Sequence, residues 1–309
     1  MYDVVIIGSG PAGLSAAVYA KRANLNVAVI EKEYEGTGQI AESKNVNNYL
    51  GLPDINGYDL GEKFREHALS LNVCFIEKEA LNIEENDSGY IIKLDDGENI
   101  KSKTIIYAAG AYPRRADVPG EEEYTGKGVS YCAICDGAFY KDKTVTVLGG
   151  GDTALDDALY LSDICKKVYL IHRRNEFRGA QSTVEKLKEK DNVEFVLSVV
   201  EIKGDKKLDS VKLASGKELA VDGIFIAYGS VPQTALVKDI VQLDDKGYIV
   251  AGEDGFTNSA DNGDCLMGFF AAGDVRTKKL RQVVTAVSDG ANAATSAAEY
   301  LMKKCNDEK

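Results

Sequence analysis

The stretch 129–139 reads V-S-Y-C-A-I-C-D-G-A-F, with Cys132 and Cys135 one turn apart and Asp136 directly after the second. Two thiols at this spacing can close a disulfide staple, supply half of a zinc site, or work as a redox dithiol. The four residues C-A-I-C leave all three readings open. The surrounding elements have to decide.

Two segments read as phosphate loops. Residues 3–13, D-V-V-I-I-G-S-G-P-A-G, form an apolar run feeding a turn built from Gly8, Ser9, Gly10, Pro11, Ala12 and Gly13. Residues 144–154, T-V-T-V-L-G-G-G-D-T-A, do the same with Gly149, Gly150, Gly151, Asp152 and Thr153. Each fits G-x-G-x-x-G/A between a strand and a helix. There the glycines let the backbone approach a pyrophosphate at the helix N-terminus.

The next strand of each unit ends in a residue of different charge. Glu31 follows Gly8 by 23 residues, and His172 follows Gly149 by the same 23. Glu31 is placed to accept hydrogen bonds from a ribose 2′-OH and to repel a 2′-phosphate. His172 opens H-R-R-N-E-F-R, where Arg173, Arg174 and Arg178 can pair a phosphate. Unit charges about 4 Å apart interact by roughly 4 kcal/mol at an effective dielectric of 20, enough to separate NADP from NAD by more than a hundredfold. The first loop therefore suits FAD or NAD, and the second suits NADP.

The loops are related by an offset of 141, and residues 93–113 match 212–232 at an offset of 119. Asp96-Gly97 falls on Ser215-Gly216, Gly110 on Gly229, and Pro113 on Pro232. Two nucleotide-binding domains of one ancestry follow. Near the C-terminus, F-F-A-A-G-D-V (269–275) reads as a strand ending in Gly273-Asp274, followed by a long Ala-rich helix. Asp274 is placed to accept from a ribityl chain, and the helix start near Arg281 puts positive dipole where a reduced flavin is negative. This segment is expected to return to the first domain.

Composition narrows the partners. A chain of 309 residues with net charge −12 and one short basic cluster at 172–178 argues against nucleic acid or an anionic membrane surface. The first residues show no charged leader, and no apolar run approaches membrane-spanning length. Six cysteines are too few for a disulfide framework. A soluble, cytoplasmic protein is expected.

Across nearly the whole chain the sequence resembles the bacterial-type, low-molecular-weight thioredoxin reductase family. The resemblance rests on G-S-G-P-A-G, G-Q with a following N-N-Y-L-G, Y-C-A-I-C-D-G, G-G-G-D-T-A, H-R-R-N-E-F-R, A-A-G-D-V and L-R-Q-V-V-T-A, in this order. It implies an α/β fold of two Rossmann-like, three-layer ββα domains, the first discontinuous. Residues 1–113 and 243–309 would bind FAD, and 114–242 would bind NADPH and carry the dithiol. It adds Gly38, Gln39, Asn48, Gln282 and Val283 to the FAD contacts, and a homodimer. By the family pattern Cys135 faces the flavin, Cys132 attacks the disulfide of a thioredoxin or thioredoxin-like protein, and Asp136 protonates the departing thiolate. Dithiol and NADPH loop share one domain, so that domain is expected to rotate against the other during turnover.

Counting disposes of zinc, because beyond C-A-I-C the chain has no second close Cys or His pair and only His67 and His172. No metal is expected. A structural staple closing two intervening residues is unattractive, which leaves the redox dithiol. Cys74 reads as core, Cys305 as part of a frayed tail, and 258–268 as an enlarged loop carrying Cys265. Leu50 stands for the usual proline near the expected flavin ring. The alternative reading keeps the scaffold with another donor or acceptor: a ferredoxin-dependent reductase, a peroxiredoxin-type acceptor or a dithiol oxidase.

Overall fold

The computed structural model describes residues 1–307 except Lys44 and Asn175. Its contacts divide the chain into Met1–Tyr112 with Val231–Lys309, and Pro113–Ser230. The first unit is discontinuous. Its first crossing falls one residue from the expected place, whereas the second comes at 231 rather than 243. Packing explains the difference. Val237 and Val241, expected in the second domain, are fully buried in one core with Val5, Ile30 and Phe269.

In the first unit β1 (Tyr2–Ile7) lies between β2 (Val27–Glu31) and β4 (Asn99–Tyr107), and β3 (Cys74–Glu77) extends β2, all parallel. Strand alternation makes the layers. Val4 and Ile6 face α1 (Pro11–Arg22), whose Leu14, Ala16, Ala17 and Ala20 share their core. Val5 and Ile7 face the other way, onto Ile83, Tyr90, Ile92 and Leu94 of the hairpin Ala80–Asn86 and Gly89–Leu94. Helix α2 (Gly57–Ser70) begins at Asn56, whose side chain accepts the Tyr58 N–H. Cys74, expected in the core, is exposed because β3 is an edge strand; its Sγ lies 3.6 Å from the Tyr2 hydroxyl.

The second unit repeats this plan. The single turn α3 (Ala133–Asp136) precedes β5 (Thr144–Leu148) and α4 (Asp152–Ser162). The parallel sheet runs in the order β7 (Val193–Leu197), β6 (Lys167–His172), β5, β8 (Gly223–Ile226) and Val129–Ser130. Val145 and Val147 meet Ala154, Leu155, Ala158 and Leu161 of α4. Leu148, with Ile171 and Ile224, meets an antiparallel meander of Val199–Gly204, Leu208–Leu213 and Glu218–Ala220 through Ile202, Leu208 and Val211.

The sequence repeat is a conformational one. Gly97 and Gly216 hold φ of +87° and +84°, values a β-carbon strains against. Both close the same turn, with Leu94 N–H to Glu98 O and Leu213 N–H to Lys217 O each 2.9 Å.

On its return the chain adds β9 (Cys265–Ala271) parallel to β4, then α5 (Val283–Asp307). Cys265 opens β9 opposite Asn258, so the expected loop at 258–268 is a hairpin. Cys305 lies within α5 instead of a frayed tail. Helix α5 packs closely on α1, since a β-carbon at Gly290 would stand 2.0 Å from Ala12 O. Among the described residues no helix is long and apolar enough to cross a membrane.

Candidate functional site: two phosphate loops and a disulfide

The first loop is the turn from β1 into α1. Gly8 holds φ +102°, and a β-carbon there would meet Ala108 O at 2.5 Å. A β-carbon at Gly13 would stand 1.9 Å from Gly8 O, so the loop folds back tightly onto the helix start. Ser9 is buried, Gly10 caps the helix and Pro11 opens it. The first N–H groups of α1 are thus left for an anion. Glu31 turns its carboxylate onto this loop. Its Oε2 accepts the Ser9 N–H at 3.0 Å and lies 2.7 Å from Ser9 Oγ, and its Oε1 accepts the Glu33 N–H at 3.1 Å. Oε1 retains a second acceptor direction for a ribose hydroxyl.

Other expected FAD contacts gather around this loop. Gly38, at φ +74°, lies so close that a β-carbon would be 2.8 Å from Gly10 Cα. Gln39 opens the single turn Gln39–Glu42 and is half-buried. Asn48 Nδ2 donates to Gln282 Oε1 at 2.8 Å, joining the 39–48 segment to the start of α5. Gly273, at φ +81°, approaches α1 until a β-carbon would be 2.8 Å from that of Ala12. Val283 is half-buried at the first position of α5.

Asp274 and Arg281 each hold back a buried polar atom. Neither Asp274 Oδ1 nor Arg281 Nε has a hydrogen-bond partner among the described residues. Burial pushes the Asp274 carboxyl up, against the pull of Lys278 and Arg281. The Arg281 guanidinium lies 4.0 Å over the Tyr248 ring. An orphaned acceptor and an orphaned donor, on a turn that touches a phosphate loop, fit FAD, which brings ribityl hydroxyls and a pyrophosphate to one place.

The second loop is the turn from β5 into α4. Gly149 holds φ +153°, and its β-carbon would meet Ala227 O at 2.7 Å. A β-carbon at Gly150 would stand 2.5 Å from the His172 ring, so this imidazole underlies the loop. Burial lowers the His172 pKa, and Arg178, Arg173 and Arg174 lower it further. His172 Nε2 is buried without a partner among the described residues. Gly151 caps α4 with open space where a β-carbon would be, and Thr153 is exposed beside it.

Asp152 does more than sit at a helix start. Its Oδ1 accepts the Ala180 N–H at 2.7 Å, and the Arg178 N–H donates to Gly150 O at 2.7 Å. The basic segment is thereby fastened over the loop. Arg173, Arg174 and Arg178 are exposed, and among the described residues none forms an ion pair with a carboxylate. A cleft of about 500 Å³ beside Arg174 is walled by Phe177, Val184 and Phe195. Unpaired guanidinium groups, open backbone and an adjoining cleft fit the adenosine phosphate end of NADPH. Asn175 of the basic motif lies outside the described residues.

Cys132 and Cys135 form a disulfide in which Cys132 caps α3 and its Sγ accepts the Cys135 N–H at 3.2 Å. Both are half-buried, and Ile134 between them is exposed. Asp136 closes the turn. Burial pushes its carboxyl up, opposed by Ser130 Oγ, which donates to Oδ2 at 2.6 Å. Ser130 Oγ also accepts the Cys132 N–H at 3.1 Å. A helix start bearing a thiol, with an acid one residue past its partner, suits thiol–disulfide exchange.

Reading the sequence missed Ser130, Arg276, Lys278 and Asp289. Ser130 stands two residues before Cys132, where a hydroxyl reaches back to a turn, and that spacing was a usable signal. The charged residues of 276–289 pair across the approach to α5, which no local pattern reveals.

The sequence profile of the family described as Pyridine nucleotide-disulphide oxidoreductase matches residues 2–290. The thioredoxin reductase of Mycoplasma genitalium is 42% identical over 301 residues, covering 95% of this chain and 93% of that one. The thioredoxin reductase of Helicobacter pylori is 40% identical, covering 97% of this chain and 99% of the other. The crystal structure of thioredoxin reductase from Streptococcus pyogenes superposes with a TM-score of 0.91 at 40% identity, covering 98% of this chain and 99% of that one.

Proposed function

The chain belongs to the pyridine nucleotide-disulphide oxidoreductase family, and from that membership we propose that it is a thioredoxin-disulfide reductase working from NADPH. The observation that carries this reading is the Cys132–Cys135 disulfide, set in the same unit as a phosphate loop and three exposed arginines that form no ion pair among the described residues. Met1–Tyr112 with Val231–Lys309 is the FAD-binding unit, and Pro113–Ser230 is the NADPH-binding unit.

FAD, when bound, supplies a two-electron relay between NADPH and the disulfide. Gly8–Gly13 and Glu31 hold its phosphate and ribose side, while Gly38, Gln39, Asn48, Gly273, Asp274, Arg281, Gln282 and Val283 hold the remainder. Gly149–Thr153 receive the NADPH pyrophosphate, and Arg173, Arg174 and Arg178 select the 2′-phosphate.

Once the disulfide is reduced, the Cys132 thiolate attacks one sulfur of the substrate disulfide, and a mixed disulfide forms as the substrate's sulfur–sulfur bond breaks. Asp136, kept protonated more readily by its burial, gives its proton to the departing thiolate. Cys135 then attacks Cys132 Sγ, releasing the second substrate thiolate and restoring the Cys132–Cys135 disulfide. Exposed Ile134 and Phe139 offer a thioredoxin-like protein an apolar contact beside the pair. The family pattern further supports a cytoplasmic homodimer, which sedimentation at working concentration tests.

Anaerobic titration with NADPH, followed through flavin absorbance, tests the circuit. Uptake of two electron pairs per flavin is expected. Uptake of one pair would disconnect the disulfide and overturn the reading.

A further inference from the structure

Behind the Gly273–Val275 turn lies a cluster of charges with no part in the chemistry above. Asp289, on α5, is 5% exposed and is surrounded by donors. Its Oδ2 accepts the Gly273 N–H at 3.0 Å, Arg276 Nε at 2.9 Å and Lys278 Nζ at 2.8 Å, and its Oδ1 accepts Arg276 Nη2 at 2.6 Å. Arg276 is also 5% exposed and is satisfied by Asp289 and by backbone carbonyls of Ala251 and Thr277. The Lys278 side chain is 7% exposed, and its ammonium reaches on to Asp274 Oδ1 at 3.8 Å.

A buried lysine is costly unless paired, and Asp289 alone cannot balance two cations. Arg276, Lys278, Asp289 and Asp274 sum to zero only when Asp274 is ionised. We infer that Lys278, clamped by Asp289, is a positioning residue of the flavin site that keeps Asp274 ionised and therefore an acceptor for the ribityl hydroxyls. This rests on FAD being the group that Asp274 meets.

The geometry accounts for the orphaned oxygen. At 3.8 Å the ammonium is too far to hydrogen-bond Asp274 Oδ1, so it supplies charge without occupying the lone pairs a ligand needs. Burial favours the protonated carboxyl, which would turn one oxygen into a donor. The charged groups facing Asp274 are Lys278 and Arg281 from the segment entering α5 and Asp289 from α5 itself. Helix α1, which also packs on the turn, brings the uncharged Ala12 there. Arg281 also attracts, so the contribution of Lys278 has to be read by removing it alone.

The test is FAD affinity of reconstituted protein, read by flavin fluorescence from pH 5.5 to 8.5, for wild type, Lys278→Met, Lys278→Arg and Asp274→Asn with Lys278→Met. Ionised Asp274 binds better, so affinity is lost as pH falls through its pKa. Removing the ammonium raises that pKa and moves the loss to higher pH. Wild type should be nearly flat above pH 6. Lys278→Met should bind about tenfold or more weakly at pH 6 and recover toward wild type by pH 8.5. Lys278→Arg should restore the flat profile, and the double variant should lose the pH dependence. A Lys278→Met loss equal at every pH, or no loss, would overturn the inference and leave the FAD reading standing. A wild type that binds no FAD at any pH would overturn both. If Lys278→Met does not fold, Lys278→Gln is read in the same way, and misfolding of both with a flat Lys278→Arg profile at reduced affinity would make Lys278 merely structural.

Discussion

Ser130 and Asp136 are joined by one hydrogen bond, Oγ to Oδ2 at 2.6 Å, and the same hydroxyl accepts the Cys132 N–H at 3.1 Å. The acid and the thiol turn therefore share a single small side chain. That bond favours the ionised carboxylate, and burial opposes it. Ser130→Ala removes the first effect and leaves the second, so the Asp136 pKa should rise. An acid works below its pKa. The alkaline limb of kcat/KM for the disulfide substrate should move to higher pH in Ser130→Ala. A limb that stays in place or moves to lower pH would show that Asp136 does not set it.

Asp136→Asn keeps the shape and removes the proton. Loss of one general acid typically slows the step about a hundredfold or more. Reduction of bound flavin by NADPH, followed by stopped-flow absorbance, should be unchanged while turnover with the protein disulfide falls by that factor. Equal slowing of both half-reactions would place Asp136 outside thiol exchange.

Nucleotide choice should follow the arginines. Arg173, Arg174 and Arg178 are exposed and unpaired among the described residues, and Asp152 and the Arg178 N–H fasten their segment over the loop. Charge-assisted contacts to a phosphate are strong and fork-shaped in arginine. Arg173→Ala or Arg178→Ala should raise KM for NADPH roughly tenfold or more, with kcat and the KM for NADH little changed, and added salt should shrink the difference. If NADH suffers equally, these side chains hold the loop and do not read the phosphate.

Two glycine substitutions should behave oppositely. At Gly290 a β-carbon would stand 2.0 Å from Ala12 O, backbone that cannot yield without separating α5 from α1. Gly290→Ala should cost about 1–3 kcal/mol in denaturant unfolding and weaken FAD binding, because Ala12 is part of the first loop. At Gly151 a β-carbon meets open space, so Gly151→Ala should leave stability within about 0.5 kcal/mol and raise the KM for NADPH. Similar stability losses in both would mean that the second loop is as tightly packed as the first.

Much of this arrangement is legible in the amino-acid sequence. Gly8–Gly13 and Gly149–Thr153 announce themselves because a close backbone approach demands glycine at fixed spacing, and Gly97 and Gly216 because both need positive φ. What stayed hidden depends on tertiary pairing. Val237 and Val241 lie outside any regular helix or strand, so no periodicity pointed to the first unit's core. Cys74 looked buried from its apolar neighbours, yet β3 has a partner on one side only. The Asp289 cluster joins residues 11 and 13 positions apart through a bend, a separation no helix or strand rule addresses.

The roles of the two cysteines should separate when each is replaced alone. Cys132 caps α3 with its Sγ toward the Cys135 N–H, a position that favours a thiolate. If Cys132 attacks and Cys135 resolves, Cys135→Ser should retain the attacking thiol and lose the group that breaks the mixed disulfide. Mixed with an oxidised thioredoxin-like protein whose own resolving thiol is replaced by serine and whose attacking cysteine is activated as a mixed disulfide with an aromatic thiol, Cys135→Ser should accumulate a covalent one-to-one complex. Intact mass should show the sum of both chains, and dithiothreitol should release them. With the exposed Cys74, Cys265 and Cys305 replaced by serine in both variants, Cys132→Ser should give no such complex under the same conditions, and neither variant should turn over. A complex formed by Cys132→Ser and absent from Cys135→Ser would reverse the two roles, with Asp136 then adjacent in sequence to the attacking thiol.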